Sequence, residues 1–170
     1  MMFKIRLLLY LLTFTAVSTV RSQHSERDSL TNHHCFFNKN SITTGVGAIY
    51  SVPNEMTGVS VKAYYNFMEA WCVGPEVNYI QSAEKSLLDI NLVAHYIFET
   101  PWVGVYPLVG ANYTNESEEN GHTNSAYGVM YGAGLHRNFD RISLFAEYSR
   151  VESHLADQFI SLGAFVTFDL

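Results

Sequence analysis

D-Q-F-I-S-L-G-A-F-V-T-F-D-L, residues 157–170, changes character at every step. Ile160, Leu162, Ala164, Val166, Phe168 and Leu170 fall on one face, with Ser161, Gly163, Thr167 and Asp169 on the other. A period of two is that of a β-strand. Here the bulky apolar groups form one continuous stripe, and the opposite stripe is small or polar. A sheet built from such strands can turn its apolar face to lipid and fold its polar face around an interior.

The same pattern recurs toward the N-terminus. Ile42–Val52 sets Ile42, Val46, Ala48, Tyr50 and Val52 against Gly45, Gly47 and Ser51. Thr57–Met68 sets Val59, Val61, Ala63, Tyr65 and Phe67 against Gly58, Ser60, Lys62, Tyr64 and Asn66. Trp71–Ile80 sets Trp71, Val73, Val77 and Tyr79 against Cys72, Gly74, Glu76 and Asn78. In Ser86–Phe98 the polar stripe is Asp89, Asn91 and His95. Trp102–Tyr113 is apolar on both parities; Gly104, Gly110 and Asn112 assign Val103, Val105, Val109, Ala111 and Tyr113 to the outside. Ala126–Arg137 alternates Tyr127, Val129, Tyr131, Ala133 and Leu135 with Gly128, Gly132, Gly134 and His136. Arg141–Val151 alternates Ile142, Leu144, Ala146 and Tyr148 with Ser143, Glu147 and Ser149.

With the C-terminal segment these make eight, each near the ten residues a tilted strand needs to cross a bilayer. An even number of antiparallel strands closes without an edge, as lipid demands of backbone polar groups. The predicted fold is an all-β, eight-stranded, antiparallel up-and-down transmembrane β-barrel over residues 41–170. Outward aromatics near segment ends (Tyr50, Phe67, Trp71, Tyr79, Phe98, Trp102, Tyr113 and Phe168) match interfacial girdles. Turns at 68–70, 99–101 and 138–140 are expected to be short. Gln81–Lys85, Glu152–Ala156 and the polar run Thr114–Asn124 are expected to form longer external loops, with only 53–55 short on that side. Pro75 and Pro107 fall inside two strands, where each removes a ladder donor; either a bulge forms there or the third and fifth strands are shifted by a few residues.

The N-terminus reads as an address. Residues 1–22 carry Lys4 and Arg6, an apolar run from Leu7 to Leu12 and small residues near Ser18 and Ser22, the layout of a secretory signal peptide. Its removal leaves 148 of 170 residues and takes away Lys4, Arg6 and Arg21, so the formal charge moves from −6 to −9. So acidic a chain is a poor partner for nucleic acid. Charged residues are only 15% of the chain, against eleven each of Tyr, Phe and Gly, which suits an exterior covered by something other than water. A polar leader, 23–40, precedes the barrel.

The inward set Lys62, Glu76, Asp89, Asn91, His95, His136 and Glu147 is expected to form a polar network filling an eight-stranded interior. Lys62 is placed to pair with Glu76, and Glu147 needs a donor such as Lys62 or Tyr64. Cys35 and Cys72 both fall near the end where the termini lie. A disulfide between them would tie the leader across the barrel base, with about 3–4 kcal/mol from loop entropy; two free thiols is the alternative. His33-His34-Cys35 lacks a fourth ligand at a metal-site spacing, so no metal and no cofactor is assigned. Glu116, Glu118 and Glu119 make the 114–124 run the expected point of contact with an external ligand. The sequons at Asn112 and Asn115 would matter only in a eukaryotic secretory route.

Y-P-L-V-G-A-N-Y (Tyr106–Tyr113), Y-G-V-M-Y-G-A-G-L (Tyr127–Leu135) and I-S-L-F-A-E-Y (Ile142–Tyr148) resemble strands of the small outer-membrane barrels of the OmpX and OmpA-barrel type. The likeness covers residues 41–170 and is strongest to barrel-only domains of Bacteroidetes-like bacteria. It implies a porin-like, monomeric Gram-negative envelope protein in contact with outer-membrane lipid, and it transfers no catalytic residue. The usual terminal aromatic is replaced by Leu170, with Phe168 on the same face. The expected function is a non-enzymatic structural or surface-interaction role through the external loops. The alternative is a secreted lipocalin-like barrel around a small apolar ligand. A lipid-modifying enzyme using His136, or His95 with Asp89 and Ser86, ranks third.

Overall fold

A computed structural model describes residues 37–170 apart from Pro101, Asn120, Asp140 and Arg141. The signal segment, the leader up to residue 36 and Cys35 lie outside the described residues. Eight long strands follow one another: β1 (Ser41–Ser51), β2 (Met56–Asn66), β3 (Trp71–Gln81), β4 (Lys85–Tyr96), β5 (Gly104–Glu118), β6 (Thr123–Phe139), β7 (Ile142–Glu152) and β8 (Asp157–Asp169). Each pairs antiparallel with its neighbours, and β1 with β8 closes the sheet. Phe98–Glu99 carries β4 on against β5 in the same register.

The register fixes the tilt. Starting at Ser41, the partners run Asn66, Cys72, His95, Leu108, Gly132, Ser149 and Phe159, and the circuit meets β1 again at Ser51. One turn around the barrel therefore advances ten residues along the strand. With a 3.3 Å rise and 4.8 Å strand spacing, that shear tilts the strands by about 41°. An eleven-residue strand then stands about 27 Å tall, close to the apolar band of an outer-membrane barrel.

Exposure follows parity. Val46, Val61, Leu92, Leu144 and Leu162 are half or more exposed, whereas Lys62 and Asp89 are 2% and 0% exposed. Apolar groups face out and ionisable ones face in. Rings near the strand ends that carry the termini are chiefly Phe and Trp: Trp71 packs edge-on to Tyr96, and Tyr96 to Phe98. Toward the far end the exposed rings are tyrosines, among them Tyr50, Tyr79, Tyr127, Tyr131 and Tyr148.

Three expectations need correction. The run Thr114–Asn124 is not a loop: Thr114 to Ser117 pair with Ala126 to Thr123, Glu118 pairs with Lys85, and the ladder is interrupted only between Glu118 and Thr123, with Gly121 at φ 84°. Its Thr, Ser and Asn residues suit a solvated strand as well as a loop, and β4 pins one side of it. Far-end connections (52–55, 82–84, 119–122, 153–156) are therefore no longer than 67–70 or 97–103 at the other end. Nor do the prolines make bulges. Register is unchanged across both, and each ladder skips two pairs instead: β2–β3 between Lys62↔Glu76 and Tyr65↔Val73, and β4–β5 between His95↔Leu108 and Phe98↔Val105. The missing proline donor is absorbed by those gaps, and Ile97 N–H donates to Ala70 O at 2.8 Å.

Candidate functional site

Inward parity gathers side chains from every strand into stacked layers. Toward the termini lies a closed circuit of six rings. Phe37 stacks on His136 at 5.0 Å, His136 meets Tyr106, Tyr106 stacks on His95 at 4.9 Å, His95 meets Tyr64, Tyr64 meets Phe165 edge-on, and Phe165 returns to Phe37. Phe37 thus places the end of the leader inside the barrel mouth. Asn40 secures it by donating its backbone N–H to Asn66 O at 2.7 Å, and Asn40 itself takes φ 61°, a value Asn tolerates.

Glycine makes room for the rings. Tyr106 lies directly across the ladder from Gly134, Phe165 from Gly45 and Phe145 from Gly163. A Cβ on Gly134 would stand 2.4 Å from Tyr106 Cζ, and one on Gly45 2.3 Å from Phe165 Cδ1. Large rings laid over cross-strand glycines occupy the space a Cβ would otherwise take.

The charged layer sits against this circuit. Lys62 Nζ bonds to the Glu147 carboxylate, lies 3.4 Å from Glu76 Oε2 and stands 5.1 Å over the Phe145 ring. Tyr64 donates to Glu76, Tyr106 donates to Glu147 Oε2 at 2.8 Å, and His95 Nε2 is 3.7 Å from Glu76 Oε1. One ammonium thus serves two carboxylates, with two phenols completing their coordination. Buried charge is tolerable only in such company. Next comes a hydrogen-bonded acid: Asp89 Oδ1 accepts from Thr114 at 2.5 Å and from Asn112 Nδ2 at 3.3 Å, and Asn112 also donates to Asn91 Oδ1 at 2.7 Å. Met56, Ile80, Leu87, Met130, Val151 and Phe159 then close the interior toward the far end.

Of the predicted inward residues, Lys62, Glu76, His95 and Glu147 come together, Asp89 and Asn91 form the adjoining layer, and His136 joins the ring circuit. Tyr106, Phe37 and Phe165 were not predicted. Tyr106 shares the parity of Gly104, Gly110 and Asn112, the signal that would have placed it inside. The residues weighed for hydrolysis are not assembled: His95 reaches Glu76, Asp89 is held by Thr114, and Ser86 has the opposite parity. Cys72 is buried in the row between Asn66 and His95; its proposed partner Cys35 lies outside the described residues. At the far rim Glu116 is drawn into a 3.1 Å pair with Lys85, Glu118 pairs across the ladder with Lys85, and Glu119 donates its N–H to Glu84 O at 3.0 Å.

Neither a protein-family profile nor a curated protein matches the chain. Solved structures do match. The N-terminal β-barrel domain of Pseudomonas aeruginosa OprF aligns with a TM-score of 0.64 at 17% identity, over 76% of this chain and 98% of that one. Ail, the attachment invasion locus protein of Yersinia pestis, aligns at 0.55 with 19% identity over 77% and 100%. Neisserial surface protein A aligns at 0.52 with 16% identity over 76% and 96%. These are small outer-membrane barrels, and at such identities the likeness is one of fold.

Proposed function

We propose that the chain is a Gram-negative outer-membrane barrel, of the OmpX and OmpA-barrel type and the barrel-only branch resembling that of Bacteroidetes, acting through its far rim in a structural or surface-interaction role without catalysis. Residues 1–22 would direct export, 23–40 would lead into the barrel, and both ends of the barrel domain would face the periplasm. It would work as a monomer with lipid around it and no cofactor.

The observation that carries this reading is the inside-out arrangement: half-exposed Val61, Leu92 and Leu162 outside, buried Lys62, Glu76 and Glu147 within. Water around that exterior would leave an apolar surface far larger than a soluble monomer shows. A lipocalin would need the reverse. Ail has been solved with the heparin analogue sucrose octasulfate. The rim here carries Glu84, Glu116, Glu118, Glu119 and Glu152, with Lys85 and Arg150 already paired to Glu116 and Glu152, so it favours cationic partners over polyanions.

Cell fractionation with gel mobility before and after boiling tests the reading. Recovery with the outer membrane and a mobility shift on heating are expected. Recovery as a soluble periplasmic protein would refute it and favour the ligand-binding barrel.

A further inference from the structure

The wall that β2 to β5 turn inward holds a row without positive charge. Across the ladders Ser60 faces Asn78, Asn78 faces Asp89 and Asp89 faces Thr114. All four are buried, Asp89 completely. Asp89 Oδ1 accepts from Thr114 and Asn112. Its Oδ2 has no partner among the described residues, and neither do Asn78 Oδ1 and Ser60 Oγ. Three oxygens at consecutive cross-strand positions, on strands about 4.8 Å apart, are thus uncommitted.

The charge on Asp89 is uncommitted as well. Lys62 is taken by Glu76 and Glu147, and Lys85 by Glu116 at the rim. Among the described residues no ammonium, guanidinium or imidazole pairs with Asp89. Asp157, the other buried acid toward the far end, is met by Ser51, Asn54 and the Gln158 N–H. Above the row Met56, Ile80 and Leu87 are at most 1% exposed and form an apolar cover. A lone carboxylate is strongly disfavoured in such a place. A water would serve the hydrogen bonds and leave the charge unpaired. A proton on Oδ2 would remove the charge and serve Asn78 while leaving Ser60 unserved. A cation answers both needs.

We propose that Asp89 Oδ2, Asn78 Oδ1 and Ser60 Oγ bind an alkali-metal cation of the sodium class inside the barrel. The ligands are hard oxygens, with no nitrogen or sulfur among them. One carboxylate balances one charge, whereas a divalent ion would bury an excess. Asn91 Nδ2 is a buried donor without a partner in the adjoining row of Glu76 and Asn112. It holds a water whose oxygen completes the ligand set. The ion ties β2, β3 and β4 together just above the gap that Pro75 leaves between β2 and β3. The site needs only the inward parity of these strands, so it goes beyond the surface role and stands apart from whatever the far rim contacts.

The test uses the full chain folded in zwitterionic micelles at neutral pH. Urea unfolding is compared in sodium chloride and in N-methylglucamine chloride of equal ionic strength. At sodium about ten times its dissociation constant the unfolding equilibrium should fall about tenfold. Asp89→Asn keeps the shape and removes the charge, and should lose that response. Glu84→Gln, at an exposed rim acid, should respond as the parent does. A parent indifferent to sodium overturns the proposal, as does an equal response in Asp89→Asn. So does the infrared carbonyl stretch of a protonated carboxylic acid that is present in the parent and absent from Asp89→Asn. Crystals of the parent grown with thallium(I) in place of sodium decide the matter even where the variant does not fold. Anomalous density beside Asp89 Oδ2 is expected, and its absence there overturns the site.

Discussion

Replacing Lys62 by Met keeps the length of the side chain and removes its charge. The ammonium bonds Glu147 and lies 3.4 Å from Glu76 Oε2, so the variant leaves two buried carboxylates sharing one compartment. Tyr64 and Tyr106 still donate to them, but a phenol brings no positive charge. Removing one partner of a buried pair costs about 3–5 kcal/mol. Removing all the charges costs far less, because desolvation is then avoided along with the attraction. The Lys62→Met barrel should therefore lose about 3–5 kcal/mol at neutral pH, while Lys62→Met with Glu76→Gln and Glu147→Gln should fall within about 1.5 kcal/mol of the parent. Urea unfolding in micelles, read as the fraction of heat-shifting band, measures both. A single variant as stable as the parent, or a triple variant no better than the single, would refute the placement of charge inside.

Leu92, 58% exposed in mid-β4, tests the other face: Leu92→Lys should cost about 2–4 kcal/mol in a bilayer, and near-zero cost would mean that water covers it. Gly134→Val should push Tyr106 off its seat and break the Glu147 bond, costing about 3 kcal/mol in the same unfolding assay. Tyr106→Ala in that background should then add less than it does alone, since the ring is already displaced. Phe37→Ala removes the stack on His136 and the edge contact with Phe165; a loss of about 3 kcal/mol is expected, together with faster amide exchange at Asn40, whose N–H is tied to Asn66.

Strand parity was legible because it is set by a two-way choice at each residue, and Gly, Ser and charged groups declare the inner side. Even the ambiguous β5 was resolved by Gly104, Gly110 and Asn112. The same rule puts Phe145, Phe165 and Tyr106 inside, since they share parity with Ser143 and Glu147, with Ser161 and Gly163, and with Gly104 and Gly110. What it could not show is that each ring faces a cross-strand glycine, because such pairing depends on register between strands, not on sequence within one. The extended hairpin was missed for a related reason. Above the apolar band a strand no longer needs an apolar outer face, so Thr114–Ser117 and Thr123–Ala126 keep their hydrogen-bonded ladder while losing the apolar alternation by which strands are recognised.

Register also determines where function can reside. A ten-residue shear in eight strands gives an interior whose volume is set, and here a ring circuit, a three-charge cluster, an amide layer and an apolar layer occupy it in turn. The buried charges pair with one another across the lumen, and Lys62 cannot leave Glu147 without exposing an unpaired carboxylate to an apolar wall. Such an interior costs several kcal/mol to open, which disfavours passage of solute through it. The apolar outer surface, for its part, is generic to such barrels. What distinguishes this chain is the far rim, where β5 and β6 outrun β7 beside Glu118, Glu119 and Glu152.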